Sequence, residues 1–367
     1  MTGSGRVGVG VIGAGVISGT YLDNLTTFPD VEVLFVADLD VDRARAQADA
    51  YGIRGSGTTE QLLAHEGIEI VVNLTIPAVH VEVAQLALAA GKNVWSEKPI
   101  ALDRESGAAL LKTAAEGGLR VATAPDTFLG AGLQAGKRIV DAGGIGAPLT
   151  ALALFQASGP EAWHPAPDFL YAKGAGPLFD MGPYYLTALV QNLGPVARVS
   201  ATASTSRATR VIGSGPRAGE EFAVEVPTHV SALLEFEGGA SAQAVFSFQS
   251  SIRRTGFVEI AGTTGTLVLP DPNAFDGDVA VWRDGAEEPE ITRTTSATGR
   301  GAGVVDLARA IRGAVAERAS GEQAFHVLDV MVSIIEAAER GEWVAVQSTM
   351  PLAEALPDGW DPRESTL

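Results

Sequence analysis

The apolar segment Val7–Ile12 runs directly into Gly13-Ala14-Gly15, and a helical pattern begins at about Val16. A strand that enters a glycine turn and leaves as a helix constrains this chain more than any other feature. The first glycine permits a tight turn off the strand, and the second lets the backbone come close to a bound group. The helix then starts with unpaired N–H groups aimed at that group. Asp38 follows a second apolar run, Val31–Ala37. It stands at the roughly 20-residue interval where an acid can receive ribose hydroxyls. Together these features predict a dinucleotide site.

The pattern continues through the first 124 residues. Helix is predicted at Asp40–Tyr51, strand at Ile68–Asn73 and helix at His80–Ala90. Strand follows at Asn93–Ser96, helix at Asp103–Glu116 and strand at Arg120–Ala124. Alternation of this kind implies a parallel sheet covered on both faces, a Rossmann domain over residues 1–124. Beyond Pro125 the texture changes. A helix at Leu133–Ala142 ends at Gly143-Gly144. Strands are predicted at Leu149–Gln156, Val196–Ser204, His229–Phe236, Ala240–Ser247, Gly256–Ala261 and Gly265–Leu269. Turns at Glu237-Gly238-Gly239 and Gly262–Gly265 make these an open, mostly antiparallel sheet. Phe325–Gly341 is a late amphipathic helix, and Arg207–Glu220 and Glu287–Gly303 read as polar loops. The 367 residues thus fit an α/β chain of two domains, 1–124 and 125–367.

Composition removes several function classes. There is no cysteine, which excludes disulfides, thiol nucleophiles and thiolate metal sites. The five histidines show no HxxxH or HxH spacing, so no metal is expected. Lys and Arg total 26 against 44 Asp and Glu, a net charge of −18 that repels nucleic acid and anionic membrane. No apolar run approaches the roughly 18 residues of a membrane span. Met1–Arg6 lacks a leader pattern, so the expected location is cytoplasmic.

The acid at Asp38 and the apolar Leu39 favour NAD over NADP, because a 2′-phosphate would meet a carboxylate. Two other readings stay open. Asp38 can serve only the helix that starts at Asp40, and Arg43 can favour the 2′-phosphate.

Two further constellations follow strands: Asn73-Leu-Thr75-Ile76-Pro77-Ala-Val-His80, and Glu97-Lys98-Pro99 after Asn93–Ser96. Ligands of open α/β sheets gather at such strand ends. At these residues the chain resembles the glucose–fructose oxidoreductase/inositol dehydrogenase (Gfo/Idh/MocA) family. The Glu-Lys-Pro signature is present, and the Thr-Pro-x-x-x-His segment has one extra residue between Thr75 and Pro77. The glycine run leading to Asp-x-Gly-x-His appears as Gly174–Tyr184, with Asp180 and Gly182 in place. The resemblance spans nearly the whole chain. It implies an oxidoreductase that transfers a hydride between nicotinamide and a carbinol carbon of a sugar, glycoside or cyclitol. It also implies a homodimer or homotetramer formed through the C-terminal sheet. Cofactor contacts are expected at Gly13, Gly15, Val16, Ile17, Asp38, Leu39, Thr75, Ile76, His80, Glu97 and Lys98. The catalytic set implied is Lys98, Asp180 and Tyr184, all also substrate contacts, with Lys98 beside the reacting carbinol.

Tyr184 stands where the family carries histidine. An imidazole titrates near 6.5 and a phenol near 10. Tyr184 therefore either carries the proton beside the Lys98 cation, orients a hydroxyl while Lys98 handles the proton, or fills an interface. Further substrate contacts are expected at Asp126, Phe128, Trp163, His164 and Tyr171, since aromatic faces suit the C–H face of a sugar. Asp126 also reads as a helix cap. Two other activities fit the same parts: glycoside cleavage through transient ring oxidation, and a non-catalytic NAD- or sugar-binding regulator.

Overall fold

A computed structural model describes residues 5–295 and 297–367. The Met1–Arg6 stretch falls mainly on residues 1–4, outside the described residues, as does Ser296 within Glu287–Gly303. The chain forms two compact units. One comprises Met1–Ala131, Thr295–Leu328 and Ala353–Leu367, and the other Gly132–Thr294 and Asp329–Leu352.

The first unit is built on β1 (Val7–Ile12), α1 (Val16–Leu25), β2 (Val31–Ala37), α2 (Val41–Ala50), β3 (Gly55–Gly57), α3 (Thr59–Leu63) and β4 (Ile70–Asn73). It continues through α4 (His80–Ala89), β5 (Asn93–Ser96), α5 (Arg104–Glu116) and β6 (Val121–Thr123). The strand order is β3-β2-β1-β4-β5-β6, and every pair is parallel. β1 and β4 are buried along their whole length, which is why they read as unbroken apolar runs. Helix starts are set by side chains. Asp40 caps α2, Asp103 caps α5, and Thr58 with Gln61 forms a capping box on α3.

The second unit starts in α6 (Ala131–Asp141) and holds β7 (Pro148–Gln156), α7 (Gly176–Leu193), β8 (Val196–Ser204), β9 (Thr209–Val211) and β10 (Glu221–Ala223). After these come β11 (His229–Phe236), β12 (Ser241–Ser247), β13 (Arg254–Gly262), β14 (Thr266–Leu269), β15 (Val279–Trp282), β16 (Glu290–Thr292) and β17 (Val344–Ala345). Nine strands form one sheet in the order β16-β15-β14-β13-β7-β12-β11-β8-β17. The sheet is antiparallel except where β12 runs parallel to β7. α7 packs on β7, β11 and β12, so Val230, Ala232, Leu234 and Phe236 of β11 are buried while Leu233 is exposed. The segment Arg207–Glu220 is not a plain loop. It carries β9, which pairs with β10 in a separate hairpin.

Two late helices complete the fold, α8 (Ala302–Gly313) and α9 (Gly321–Arg340). α8 packs on β4, β5 and β6. A Cβ at Gly303 would lie 2.0 Å from the Trp95 ring, so glycine is what lets α8 come this close. A division at residue 124 marks where the chain first leaves the Rossmann sheet; residues 295–328 and 353–367 return to it. A buried carboxylate of the early chain, Asp30, ties both segments to it, while within the first segment Asp306 accepts from Arg318 N at 2.6 Å and Nη1 at 2.8 Å. Asp30 accepts from Arg309 Nε at 2.7 Å, Thr366 N and Oγ1 at 2.8 Å, and Leu367 N at 3.1 Å. Among the described residues, no helix is long and apolar enough to cross a membrane.

Burial alone would raise the Asp30 pKa, but bonds from Thr366, Arg309 and Leu367 outweigh it and hold the carboxyl below its usual range. A depressed pKa gives stability that is present above the unfolded value and lost as pH falls through the folded one. Asp30→Ala should lower the unfolding free energy by about 3 kcal/mol, because it strips the partner from a largely buried Arg309. Urea melts should show that loss at neutral pH and a shrinking difference from the native chain below about pH 4. A variant as stable as the native chain at pH 7 would show that the tail contributes nothing.

Candidate active site

The glycine turn is open and preorganised. Gly13 has φ 105°, and a Cβ there would sit 2.7 Å from the Leu74 carbonyl oxygen. Only glycine suits both demands. Gly15 is the N-cap of α1, with no capping side chain and no acid in the first turn. The first N–H groups of α1 therefore keep their capacity for an anion. Val16 and Leu39 are fully exposed, Ile76 is 66% exposed and Ile17 is half-buried. These apolar groups flank the turn at the ends of the adjacent strands β2, β1 and β4. Free N–H donors ringed by exposed apolar side chains suit a dinucleotide, with its anionic centre and flat ends.

Asp38 sits at the edge of this turn, nearly buried. It accepts from Ala14 N at 2.7 Å, Asp40 N at 2.9 Å and Arg43 Nη2 at 2.6 Å. Burial alone would raise its pKa, but these three bonds outweigh it and lower the carboxyl pKa. A groove opens beside it, lined in part by Gly15, Gly19, Arg43, Gln47 and Tyr51.

The loops after β4 and β5 are cross-braced. Asn73 Oδ1 accepts from the Thr75 hydroxyl at 2.6 Å, and Asn73 Nδ2 donates to the His80 carbonyl at 3.0 Å. His80 was expected to touch the cofactor, but its ring is buried. Nδ1 lies 2.8 Å from the Pro99 carbonyl and Nε2 3.0 Å from that of Thr75. Both partners are acceptors, and burial depresses the imidazole pKa. His80 is thus a brace between the loop carrying Ile76 and the loop carrying Lys98. Glu97 is held in the same way. It accepts from Tyr21 Oη at 2.8 Å and Lys98 N at 3.0 Å, and Trp95 Nε1 donates to Tyr21 at 3.2 Å. Lys98 is half-buried at the end of β5. Tyr21 carries no glycine, proline or motif signal, which is why sequence reasoning missed it.

Asp126, an expected substrate contact, is fully buried. It accepts from Gly301 N at 2.8 Å and Gly303 N at 3.2 Å, so it anchors the start of α8. Burial pushes its pKa up to about 6, against the opposing Arg300 charge. Phe128 is likewise buried, in the turn Thr127–Leu129. Both side chains are buried within the chain.

In the second unit, Asp180 and Tyr184 lie one turn apart on α7 and so share a face. Trp163 is 68% exposed, and His164 packs edgewise between Trp163 and Phe169. Tyr171 departs from expectation: it is completely buried against Phe222 and Phe248. Its hydroxyl donates to Glu161, which also pairs with the buried Arg210. Tyr171 therefore pins the loop that displays Trp163 and His164, and burial raises its pKa. No cluster of three or more ligating side chains occurs among the described residues.

Comparison with known proteins agrees with this geometry. Residues 7–124 match the model of an oxidoreductase family with an NAD-binding Rossmann fold, and residues 133–268 match the GFO/IDH/MocA C-terminal domain. An oxidoreductase of Rhizobium meliloti, ORF334, is 30% identical over 348 residues, 92% of this chain and 98% of that protein. Inositol 2-dehydrogenase 3 of Saccharopolyspora erythraea is 32% identical over 165 residues, 44% of this chain and 48% of that protein. Levoglucosan dehydrogenase in complex with NADH and L-sorbose shares the fold at a TM-score of 0.82 and 20% identity, over 94% of this chain and 100% of that one. The chain belongs to the Gfo/Idh/MocA family of NAD-binding oxidoreductases.

Proposed function

We propose that the chain is an NAD-dependent dehydrogenase that oxidises or reduces one carbinol carbon of a sugar, glycoside or cyclitol. The observation that carries this reading is the open glycine turn with Asp38 at its edge, in one unit with Glu97-Lys98-Pro99 at the end of β5. The substrate class rests on relatives that act on inositol or were solved with levoglucosan and L-sorbose.

Bound nicotinamide supplies the hydride chemistry. The chain must hold the carbinol and manage one hydroxyl proton. Lys98 is assigned the developing alkoxide, because an ammonium favours negative charge on that oxygen. Braces from Glu97 to its backbone N–H and from His80 to Pro99 fix the loop that carries it. Asp180 and Tyr184, on one face of α7, are assigned to the substrate hydroxyls. Trp163 and His164 offer an aromatic surface to the C–H face of a ring.

A panel of pyranosides and inositols, followed by NADH absorbance, tests the activity. Lys98→Ala should abolish turnover on the accepted substrate while NAD affinity stays within a few-fold. Retention of most activity would remove Lys98 from the chemistry.

NAD should bind more tightly than NADP, since Asp38 receives ribose hydroxyls better than a phosphate. Parallel titrations read the two affinities, and equal or tighter NADP binding would contradict the assignment.

Tyr184→Phe keeps the ring and deletes the hydroxyl. If Tyr184 carries the proton, turnover should drop about 10²-fold or more, the scale of general acid–base help. The native chain should then oxidise best at alkaline pH, since a phenol ionises near 10. An unchanged rate and pH profile in the variant would leave the ring as packing.

A further inference from the structure

Three rings follow one another on the segment that joins β7 to α7. The Trp163 and His164 centroids are 5.6 Å apart, and those of His164 and Phe169 5.5 Å. Trp163 and Phe169 are 68% and 55% exposed. A lone exposed apolar side chain is ordinary, but a contiguous aromatic patch marks a place of contact.

The β9–β10 hairpin fixes this segment. Gly213 N donates to the Glu161 carbonyl at 2.8 Å. Arg217 Nη1 and Nη2 donate to the two Asp168 oxygens at 2.8 and 3.0 Å. Gly215 has φ 78°, and a Cβ there would lie 2.6 Å from the Pro165 Cβ, so only glycine lets the hairpin come this close. Arg210 donates to the Ser158 carbonyl at 3.0 Å and pairs with Glu161. His164 Nδ1 accepts from Ala166 N at 3.1 Å, so the neutral ring carries its proton on Nε2. Rings held in this way lose little freedom when a ligand arrives.

The turn Asp168–Leu170 also packs against α7, the helix of Asp180 and Tyr184. The aromatic patch therefore adjoins the side chains assigned to the substrate hydroxyls. One sugar ring is about as large as one aromatic ring and covers one neighbouring pair of the three. Trp163 and His164 serve that ring, which leaves the Phe169 face for a second one. A protein partner fits less well. Two exposed side chains beside the ion pairs of Asp168, Arg217 and Glu220 fall far short of a stable protein interface.

We propose that Phe169 forms a subsite for a second ring, joined to the reacting sugar by its glycosidic bond. The substrate is then a glycoside with a cyclic aglycone or a second sugar, rather than a free monosaccharide or a cyclitol. This rests on the dehydrogenase reading above.

Initial rates with NAD, on methyl and phenyl glycosides of glucose, galactose and xylose, test it. Cellobiose, lactose and xylobiose in the same series show whether an aryl group or a sugar is the preferred second ring. For the accepted sugar, the native chain should use the phenyl glycoside or the disaccharide at a kcat/KM about five-fold or more above the methyl glycoside. The gain should lie in KM, because a remote ring binds ground and transition states alike. Phe169→Ala should raise KM for the two-ring substrate about five-fold and for the methyl glycoside less than two-fold. Phe169→Tyr keeps the ring and should keep the preference. Equal use of one-ring and two-ring substrates by the native chain would overturn the proposal. So would equal losses on both in Phe169→Ala, or turnover confined to free sugars and inositols. Loss of self-association in Phe169→Ala, seen by sedimentation with the preference intact, would assign the face to a second copy of the chain and overturn it too. If nothing in the series and no free sugar or inositol is turned over, the dehydrogenase reading itself falls, and the proposal with it.

Discussion

The Rossmann sheet reverses its strand order at β1, with β2 on one side and β4 on the other. That reversal is the constraint on which the cofactor site depends. The helices that follow β1 and β4 must leave toward opposite faces, so the loops above them part and open a crevice. Gly13, Asp38 and Thr75 reach it from three neighbouring strands. The crevice also explains why Val16, Leu39 and Ile76 tolerate exposure. Each follows a strand whose last residues are buried, at the point where the packed layer ends.

A parallel sheet this short needs cover, and the late part of the chain supplies some of it. α8 lies on β4, β5 and β6, and Asp126 receives its first N–H groups. Burial makes the Asp126 charge costly. With its folded pKa near 6, above the unfolded value of about 3.9, the folded state holds its proton longer than the unfolded one. Stability is therefore lost, not gained, as pH rises from about 4 to about 6. The arrangement persists because the same carboxylate satisfies two orphan donors at a helix start that has no other side-chain cap.

Much of the fold is legible in the sequence where local signals agree. β2, β5, β8 and β11 stand at their predicted bounds because β-rich apolar runs end in turn residues or a helix start. α7 is not legible. It contains Gly182-Pro183, residues that normally interrupt helices, yet its packing on the second sheet prevails. α8 is hidden for a different reason. Six consecutive residues, Gly303–Ala308, are all buried, so its partly exposed positions begin only at Arg309, in the second half of the helix. Within the candidate site, the backbone turn and Asp38 follow from the motif. The inward turn of His80, Asp126 and Tyr171 does not. Their partners are the carbonyls of Thr75 and Pro99, the N–H groups of Gly301 and Gly303, and Glu161. Only tertiary structure decides which way a polar side chain near a motif points.

The same distinction between local and global terms governs how so acidic a chain can hold an anionic cofactor. A net charge of −18 makes the distant field unfavourable to any phosphate. At physiological salt that field is screened beyond about 8 Å, so it acts on the approach more than on the bound state. Within that distance the terms are different. The start of α1 carries no acid, and its N–H groups face outward from Gly15. The nearest acid, Asp38, is largely offset by Arg43. Binding is then set by a handful of oriented donors whose geometry is fixed before the ligand arrives. The surplus negative charge is free to serve solubility, because the site does not depend on the charge of the whole chain.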